Sequence, residues 1–386
     1  MELTFDFDTP IDRTTSDSDK WRKYHGKDII PMWVADTDFA SPPAVLEVLR
    51  QRVDHGVFGY ASPDPALKPA IIDYLKNTLD WSVRPEWIVW LPGLVCGLNV
   101  VCRSVGRSGA GILTTVPIYP PFLTAPDNSG KRLQTTGLVL QNGQWRFDFD
   151  NLRRSIDART ALFMLCNPHN PTGRVWTREE LTHIATICLE HRLWICSDEI
   201  HCDLVLAPGC QHIPLASLSP EVAERTITLM APSKTYNIPG LGCSFAVISN
   251  SGLRQRFKKA MAGIVPHVNL MGFAAALAGY THGGPWLAAV RNYLLHNRDM
   301  VFDRVNALPD VHMAPVEATY LAWIDVRRTA IQNPGRHFEQ AGIGLSDGVH
   351  FGAQGFVRMN FGCPRGTLKQ ALGRFEEAFA GVPHPE

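Results

Sequence analysis

Lys234 stands where a lysine is uncommon. It follows the β-branched apolar run Thr226 to Met230 and a break at Pro232, so it lands just past the end of a buried strand. Burial at that point would disfavour the ammonium and lower its pKa, and a neutral amine is a nucleophile able to form a Schiff base with a carbonyl. Other strand ends deliver further polar groups. The run ending at Leu91 is followed by Gly93-Leu94-Val95, which opens an apolar helix; Tyr119 follows Val116, Asn167-Pro-His-Asn170-Pro-Thr-Gly173 follows Cys166, and Asp198 follows Cys196.

Ligands of open α/β sheets bind outside the carboxyl ends of the strands, so these groups are expected to converge. A helix N-terminus favours a phosphate through its backbone N–H groups and dipole. An aspartate at a buried strand end needs a cationic or proton-donating partner, and an aromatic ring offers a stacking face. Together they fit a planar, phosphorylated, protonated heteroaromatic aldehyde held by a lysine, which is pyridoxal phosphate (PLP). Each member also has a plainer reading: a surface lysine in a turn, a helix N-cap for Asp198, turn chemistry for Asn170, packing for Tyr119. Their joint placement carries the cofactor assignment.

The elements that must position these groups alternate along the chain. Strands are expected at 87–91, 112–116, 161–166, 193–196, 226–230 and 243–248. Helices are expected at 44–52, with Ser41 as N-cap, at 67–79, and at 177–191, where Thr177 and Glu180 form a capping box. The small and apolar stretch 268–280 reads as a core helix, too short to span a bilayer, which takes ~20 residues. A long amphipathic helix over 285–308 leads to strands at 320–325 and 356–360 and a helix at 367–379. The pattern predicts an α/β fold: a large domain at 51–285 with a mostly parallel mixed sheet flanked by helices, and a smaller α+β unit from 1–50 and 286–386, discontinuous in sequence.

Lys+Arg and Asp+Glu balance at 37 each, so no global field favours nucleic acid or an anionic membrane, and neither is an expected partner. The polar, acidic N-terminal stretch has no apolar signal-peptide core. Nine cysteines without a C-x-x-C pair, and fourteen histidines without H-x-x-x-H spacing, argue against a metal site and for reduced thiols in the cytoplasm.

The segments N-P-H-N-P-T-G (167–173), S-D-E-I-H (197–201) and S-K-T-Y-N (233–237) make the chain resemble fold-type I PLP enzymes of the class I/II aminotransferase superfamily. Val34-Ala-Asp-Thr-Asp-Phe39, His55 to Tyr60, Val116 to Phe122, Ala318 to Trp323 and Phe356 to Arg365 narrow the resemblance to the MalY/PatB group of cystathionine β-lyases. The likeness covers about 30–375 and implies specific roles. Lys234 would hold the cofactor and move the Cα proton, with Tyr119 stacked on the ring and also counted as catalytic. Asp198 would pair with the ring nitrogen, and Asn170 and His201 would face the phenolic oxygen. Gly93, Leu94, Val95 and Ser233 would hold the phosphate, joined by Tyr60 from a second subunit of a homodimer. Arg358 would bind the substrate carboxylate, with Tyr60 and Asn170 also at the substrate. The chain departs from aspartate-aminotransferase-like enzymes at Ala231 and Gly242, where those carry Ser and Arg, at His201, where they carry Tyr, and from the β-lyase group's common methionine at Thr37.

The activity implied is α,β-elimination on L-cystathionine or another S-substituted L-cysteine, giving thiol, pyruvate and ammonia. The alternatives are transamination, a specialised-pathway enzyme for a bulky cysteine thioether, or a regulatory protein that retains the cofactor.

Overall fold

The computed structural model describes residues 5–380; the outermost ends of the ranges 1–50 and 286–386 lie outside the described residues. In chain order the strands are β1 (Ile30–Pro31), β2 (Ile88–Leu91), β3 (Gly111–Val116), β4 (Arg132–Gln141), β5 (Gln144–Phe147), β6 (Thr160–Cys166), β7 (Trp194–Asp198), β8 (Thr226–Met230), β9 (Ser244–Val247), β10 (His312–Met313), β11 (Leu321–Asp325), β12 (Ile343–Gly344), β13 (Ser346–Asp347) and β14 (Phe356–Asn360).

Eight of them form one sheet in the order β2-β9-β8-β7-β6-β3-β4-β5. Its centre, from β4 through β3, β6 and β7 to β8, is parallel; β9, β2 and β5 are antiparallel to their neighbours. The mostly parallel mixed sheet expected from the sequence is therefore present. Every residue of β8 is buried, and alternate side chains serve opposite faces. Ile227 and Leu229 pack with Leu98 and Val101 of the helix Leu94–Ser104. Met230 packs on the other side with Phe245 and Phe273. Each fully buried aliphatic side chain contributes roughly 1.5–3 kcal/mol, which fastens this strand between the helices on its two faces.

β10, β11, β14 and β13 form a second, antiparallel sheet, and β1 pairs in parallel with β12 through Ile30↔Ile343. The helix Gly284–Asn306 lays Trp286, Val290, Leu294, Val301 and Val305 into a core that also contains Leu321, Phe338, Leu368 and Phe375. Phe39 and Met32 of the N-terminal segment join this core.

Three local features differ from expectation or extend it. The helix expected at 44–52 runs Pro43–His55 and Ser41 does not cap it. Pro42, which has no side-chain acceptor, occupies the N-cap position, and the Ser41 hydroxyl donates to the Asn237 carbonyl at 3.0 Å. The capping box at Thr177 and Glu180 is complete, with both reciprocal hydrogen bonds made. β4 and β5 extend the sequence expectation: β4 carries polar residues and Gly137 through its length and pairs with β5, the edge strand of the sheet. The apolar stretch near 268–280 forms the helix Leu270–His282. Among the described residues no helix is long and apolar enough to cross a membrane.

Candidate active site

Because β6, β7 and β8 run parallel and in register, Cys166 lies beside Asp198, and Asp198 beside Leu229. The loops leaving these strands therefore emerge at one edge of the sheet. There a cavity of about 240 Å3 is lined by Gly93, Leu94, Val95, Tyr119, Asn170, Asp198, His201, Ser233 and Lys234.

Lys234 sits in the short helix Pro232–Thr235 that begins two residues after β8. Its ammonium donates to the Ala35 carbonyl, 199 residues away in sequence. Burial lowers its pKa to about 8; Arg358 pushes the same way, while Asp36 and Asp198 oppose it. A buttress stands behind it: the Thr235 hydroxyl donates to Asp203 Oδ2 at 2.7 Å, and the Tyr74 hydroxyl donates to the other oxygen of the same carboxylate.

Asp198 is buried, and its Oδ1 accepts the Ile200 backbone N–H at 3.2 Å. Turn residues come next in the chain, so it caps no helix. Burial raises its pKa to about 7; the Ile200 N–H lowers it, neighbouring Glu199 raises it further, and Lys234 lowers it. No cation contacts the carboxylate among the described residues, so it is a buried acceptor in want of a proton donor or positive charge. Glu199 itself is held by the Ser197 hydroxyl, the Leu215 N–H and His212.

Arg358 projects from β14, in the other sheet, and is buried. Its Nη1 donates to Asn170 Oδ1 at 3.0 Å, its Nη2 to the Trp33 carbonyl at 2.8 Å, and the guanidinium lies 4.7 Å from the Phe351 ring. Burial lowers its pKa to about 10, which leaves it a cation at neutral pH. Its Nε has no partner among the described residues. His201 is buried against Tyr320, its Nδ1 is likewise unpartnered, and burial with Lys234 and Arg358 nearby brings its pKa down to about 3. Its imidazole is thus neutral at physiological pH. Tyr119 is partly buried, and burial raises the pKa of its phenol.

The helix Leu94–Ser104 points its N-terminus into the cavity, and no side chain caps it from Gly93. Its first backbone N–H groups are therefore available to an anion. Position 242, where aspartate-aminotransferase-like enzymes carry Arg, is a glycine whose backbone conformation disfavours a side chain. Gly242 has φ +57°, and a Cβ there would lie 3.0 Å from the Pro92 carbonyl oxygen. Any side chain would strain the backbone and crowd that turn.

Of the residues singled out from sequence, nine line this cavity, and Arg358 joins Tyr119 and Lys234 in an adjoining one. Tyr60 does not meet them in its own chain; it is fully exposed on a loop beside exposed Val57 and Phe58. Sequence reasoning missed the role of the 33–36 backbone. The Ala35 carbonyl accepts from Lys234 and from the Tyr320 hydroxyl, and the Trp33 carbonyl anchors Arg358. Main-chain acceptors leave no trace in side-chain pattern; the one signal was the unusual V-A-D-T-D-F run itself.

Residues 27–375 match the profile of the aminotransferase class I and II family. The chain belongs to this family. Among relatives, the cystathionine β-lyase PatB of Bacillus subtilis is 36% identical, with 97% of this chain and all of the relative covered. Two solved structures superpose over nearly the whole of this class I and II aminotransferase-family chain. OvoB has a TM-score of 0.96 and 45% identity, over 98% of this chain and 100% of its own. The PLP-bound C–S lyase from Staphylococcus hominis has a TM-score of 0.92 and 31% identity, over 97% of this chain and 98% of its own.

Proposed function

We propose that the protein is a PLP-dependent C–S β-lyase that cleaves L-cystathionine or another S-substituted L-cysteine to thiol, pyruvate and ammonia. One observation carries the cofactor: the Lys234 amine and the buried, cation-free Asp198 carboxylate face the same small cavity at the uncapped end of the helix Leu94–Ser104. Those residues fit PLP by donor chemistry. Lys234 would hold its carbonyl carbon, Asp198 its ring nitrogen, and the N–H groups after Gly93, with Leu94, Val95 and Ser233, its phosphate. Tyr119 would lie on the ring face. Asn170 turns its Oδ1 to Arg358, so its amide N–H group is left for an oxygen acceptor on the cofactor. Neutral His201 supplies a second polar group on that side. The likeness to PatB and to the Staphylococcus hominis lyase favours elimination over transamination.

Bound PLP supplies an electron sink for the pair left behind when the Cα proton departs. The protein does the rest. Arg358, fixed by Asn170 and the Trp33 carbonyl, binds the substrate α-carboxylate and sets the amino acid's orientation. The Lys234 amine, freed by the incoming amino group, takes the Cα proton; a positioned general base is worth ~10²–10⁴ in rate. The Cβ–S bond then breaks, the thiolate leaves with its electron pair, and one water converts the remaining three-carbon fragment to pyruvate and ammonia.

The exposed Tyr60 loop suits a homodimer in which each subunit lends Tyr60 to its partner's phosphate and substrate site. All nine cysteines are free thiols, which supports a cytoplasmic setting. The units 51–285 and 1–50 with 286–386 would act as a cofactor-binding body and a smaller body carrying Arg358. The test is incubation of the holoenzyme with L-cystathionine and no keto acid. Stoichiometric pyruvate and free thiol support the lyase; an absolute requirement for a keto acid, with no thiol released, overturns it.

A further inference from the structure

The Ala35 carbonyl is the one hydrogen-bond acceptor of the Lys234 amine among the described residues. The small sheet sets where that carbonyl lies. Tyr320, the residue before β11, donates its hydroxyl to the same oxygen at 2.9 Å. Asn360, the last residue of β14, directs its amide N–H groups at the two flanking carbonyls, those of Val34 and, at 2.7 Å, Asp36. Its Oδ1 accepts the Gly362 N–H at 2.7 Å, which fixes the sense of the amide. β11 and β14 pair through Leu321↔Asn360, so both side chains leave the same end of that sheet.

A plainer role is open to these side chains, because buried irregular backbone must pair its carbonyls. Two observations go further. Tyr320 and Asn360 are each 1% exposed, and among the described residues their side-chain donors serve only the 34–36 carbonyls. The carbonyl between the two that Asn360 holds has two acceptor positions, and Tyr320 takes one while Lys234 takes the other. A buried amine that gains a proton needs such an acceptor at hand, since an unpaired charge is costly away from water. Two residues upstream, the Trp33 carbonyl accepts Arg358 Nη2 at 2.8 Å and the Ser346 hydroxyl at 2.9 Å, so the carboxylate receptor has an anchor of its own.

We propose that Tyr320 and Asn360 are positioning residues for Lys234: through the Ala35 carbonyl they hold its amine in place to take the Cα proton and keep an acceptor ready for the ammonium that results. The inference rests on the reading of Lys234 as the base, and it holds for elimination and transamination alike, since both begin with loss of that proton. The Cα–H bond breaks, the proton goes to Nζ, and the electron pair passes to the bound cofactor. Tyr320 and Asn360 touch neither substrate nor cofactor in this account; they act only through the backbone.

The experiment uses Tyr320→Phe, which keeps the ring and removes only the hydroxyl, and Asn360→Leu, which keeps the approximate shape and removes both donors. The first readout is reductive methylation of the cofactor-free proteins near neutral pH, followed at Lys234 by peptide mass spectrometry. An ammonium that loses its acceptor gives up its proton more readily, so labelling should be roughly threefold faster in each variant. Asp36, Asp198 and Arg358 also act on the Lys234 charge, and His201 and Tyr119 line its cavity; all five are unchanged in both variants. The second readout is thiol release by the holoenzymes from L-cystathionine and its α-deuterated form. A displaced base should lower kcat about tenfold and enlarge the deuterium effect, with KM held because Arg358 keeps its own anchor. Labelling unchanged in Tyr320→Phe, or KM raised with kcat held, overturns the proposal; the second result would mark a purely architectural role that reaches Arg358 through Trp33. Absence of thiol release by the parent enzyme would count against the lyase reading, while the labelling ratio, which needs neither cofactor nor substrate, would still decide the placement of Lys234.

Discussion

Arg358 Nη1 donates to Asn170 Oδ1 at 3.0 Å, joining β14 of the small sheet to the loop after β6 of the large one across 188 residues of chain. An arginine can only donate, so the contact fixes which way the Asn170 amide faces. The same hydrogen bond holds the Arg358 guanidinium in place and leaves the Asn170 amide N–H group, rather than its oxygen, free for another partner.

Breaking that coupling should show in substrate affinity before it shows in the chemical step. Arg358→Lys keeps the charge but loses the planar fork, and a hydrogen bond to a charged group contributes about 1.5–3 kcal/mol. kcat/KM should fall roughly ten- to a hundredfold, mostly through KM, in steady-state thiol release. An unchanged KM would remove Arg358 from the carboxylate site.

Lys234→Ala should abolish the visible absorbance of lysine-linked cofactor and lower thiol release by at least ~10²-fold, the lower range for a lost general base. An absorbance spectrum and a thiol assay on one preparation check both. Retention of either would remove the lysine from its assigned role.

Asp198 makes the cofactor-free protein pH-sensitive. Burial raises its folded pKa from 3.8 to about 7, so between those values the folded chain holds a proton that the unfolded chain has lost. The group's contribution is intact below the unfolded value and is lost as pH rises through about 7. Asp198→Asn should therefore stabilise the cofactor-free protein near pH 8 by roughly a few kcal/mol, with the gain vanishing toward pH 4, in urea unfolding. The same change should weaken cofactor binding. A cofactor-free variant less stable than its parent at pH 8 would contradict this assignment of the buried charge.

Tyr60 allows a subunit-mixing test. Tyr60→Ala and Lys234→Ala homodimers should each be nearly inactive. If each site takes Tyr60 from the partner and Lys234 from its own chain, a mixed dimer has one intact site. Random exchange should then restore about a quarter of parental activity. No recovery, with exchange verified by mass, would place both residues in one subunit's site.

Much of the site was legible because the chemistry lies at strand ends. Apolar runs stop at Leu91, Val116, Cys166 and Met230, and the loop after each must emerge at the same edge of a parallel sheet. Asp198, Asn170, Tyr119 and Lys234 needed only that rule. The strands β4 and β5 escaped it because β4 is polar through most of its length and β5 is only four residues long, with two buried aromatics, so neither shows the continuous apolar run of a central strand. The Ser41 cap failed because the helix begins at Pro43 with Pro42 in the N-cap position, one residue later than the cap required.

The sequence by itself determined the alternating architecture, the order of the motif segments and the residue types able to hold PLP, since local apolar pattern and turn residues dictate these. Only the tertiary structure decided three further things. It placed the 33–36 backbone against Lys234 and Arg358, withheld Tyr60 from its own chain's site, and brought Tyr320 and Asn360 to the 34–36 carbonyls. Main-chain acceptors carry no side-chain signature, and polar groups hundreds of residues apart become a site only when packing removes the choice of where they lie.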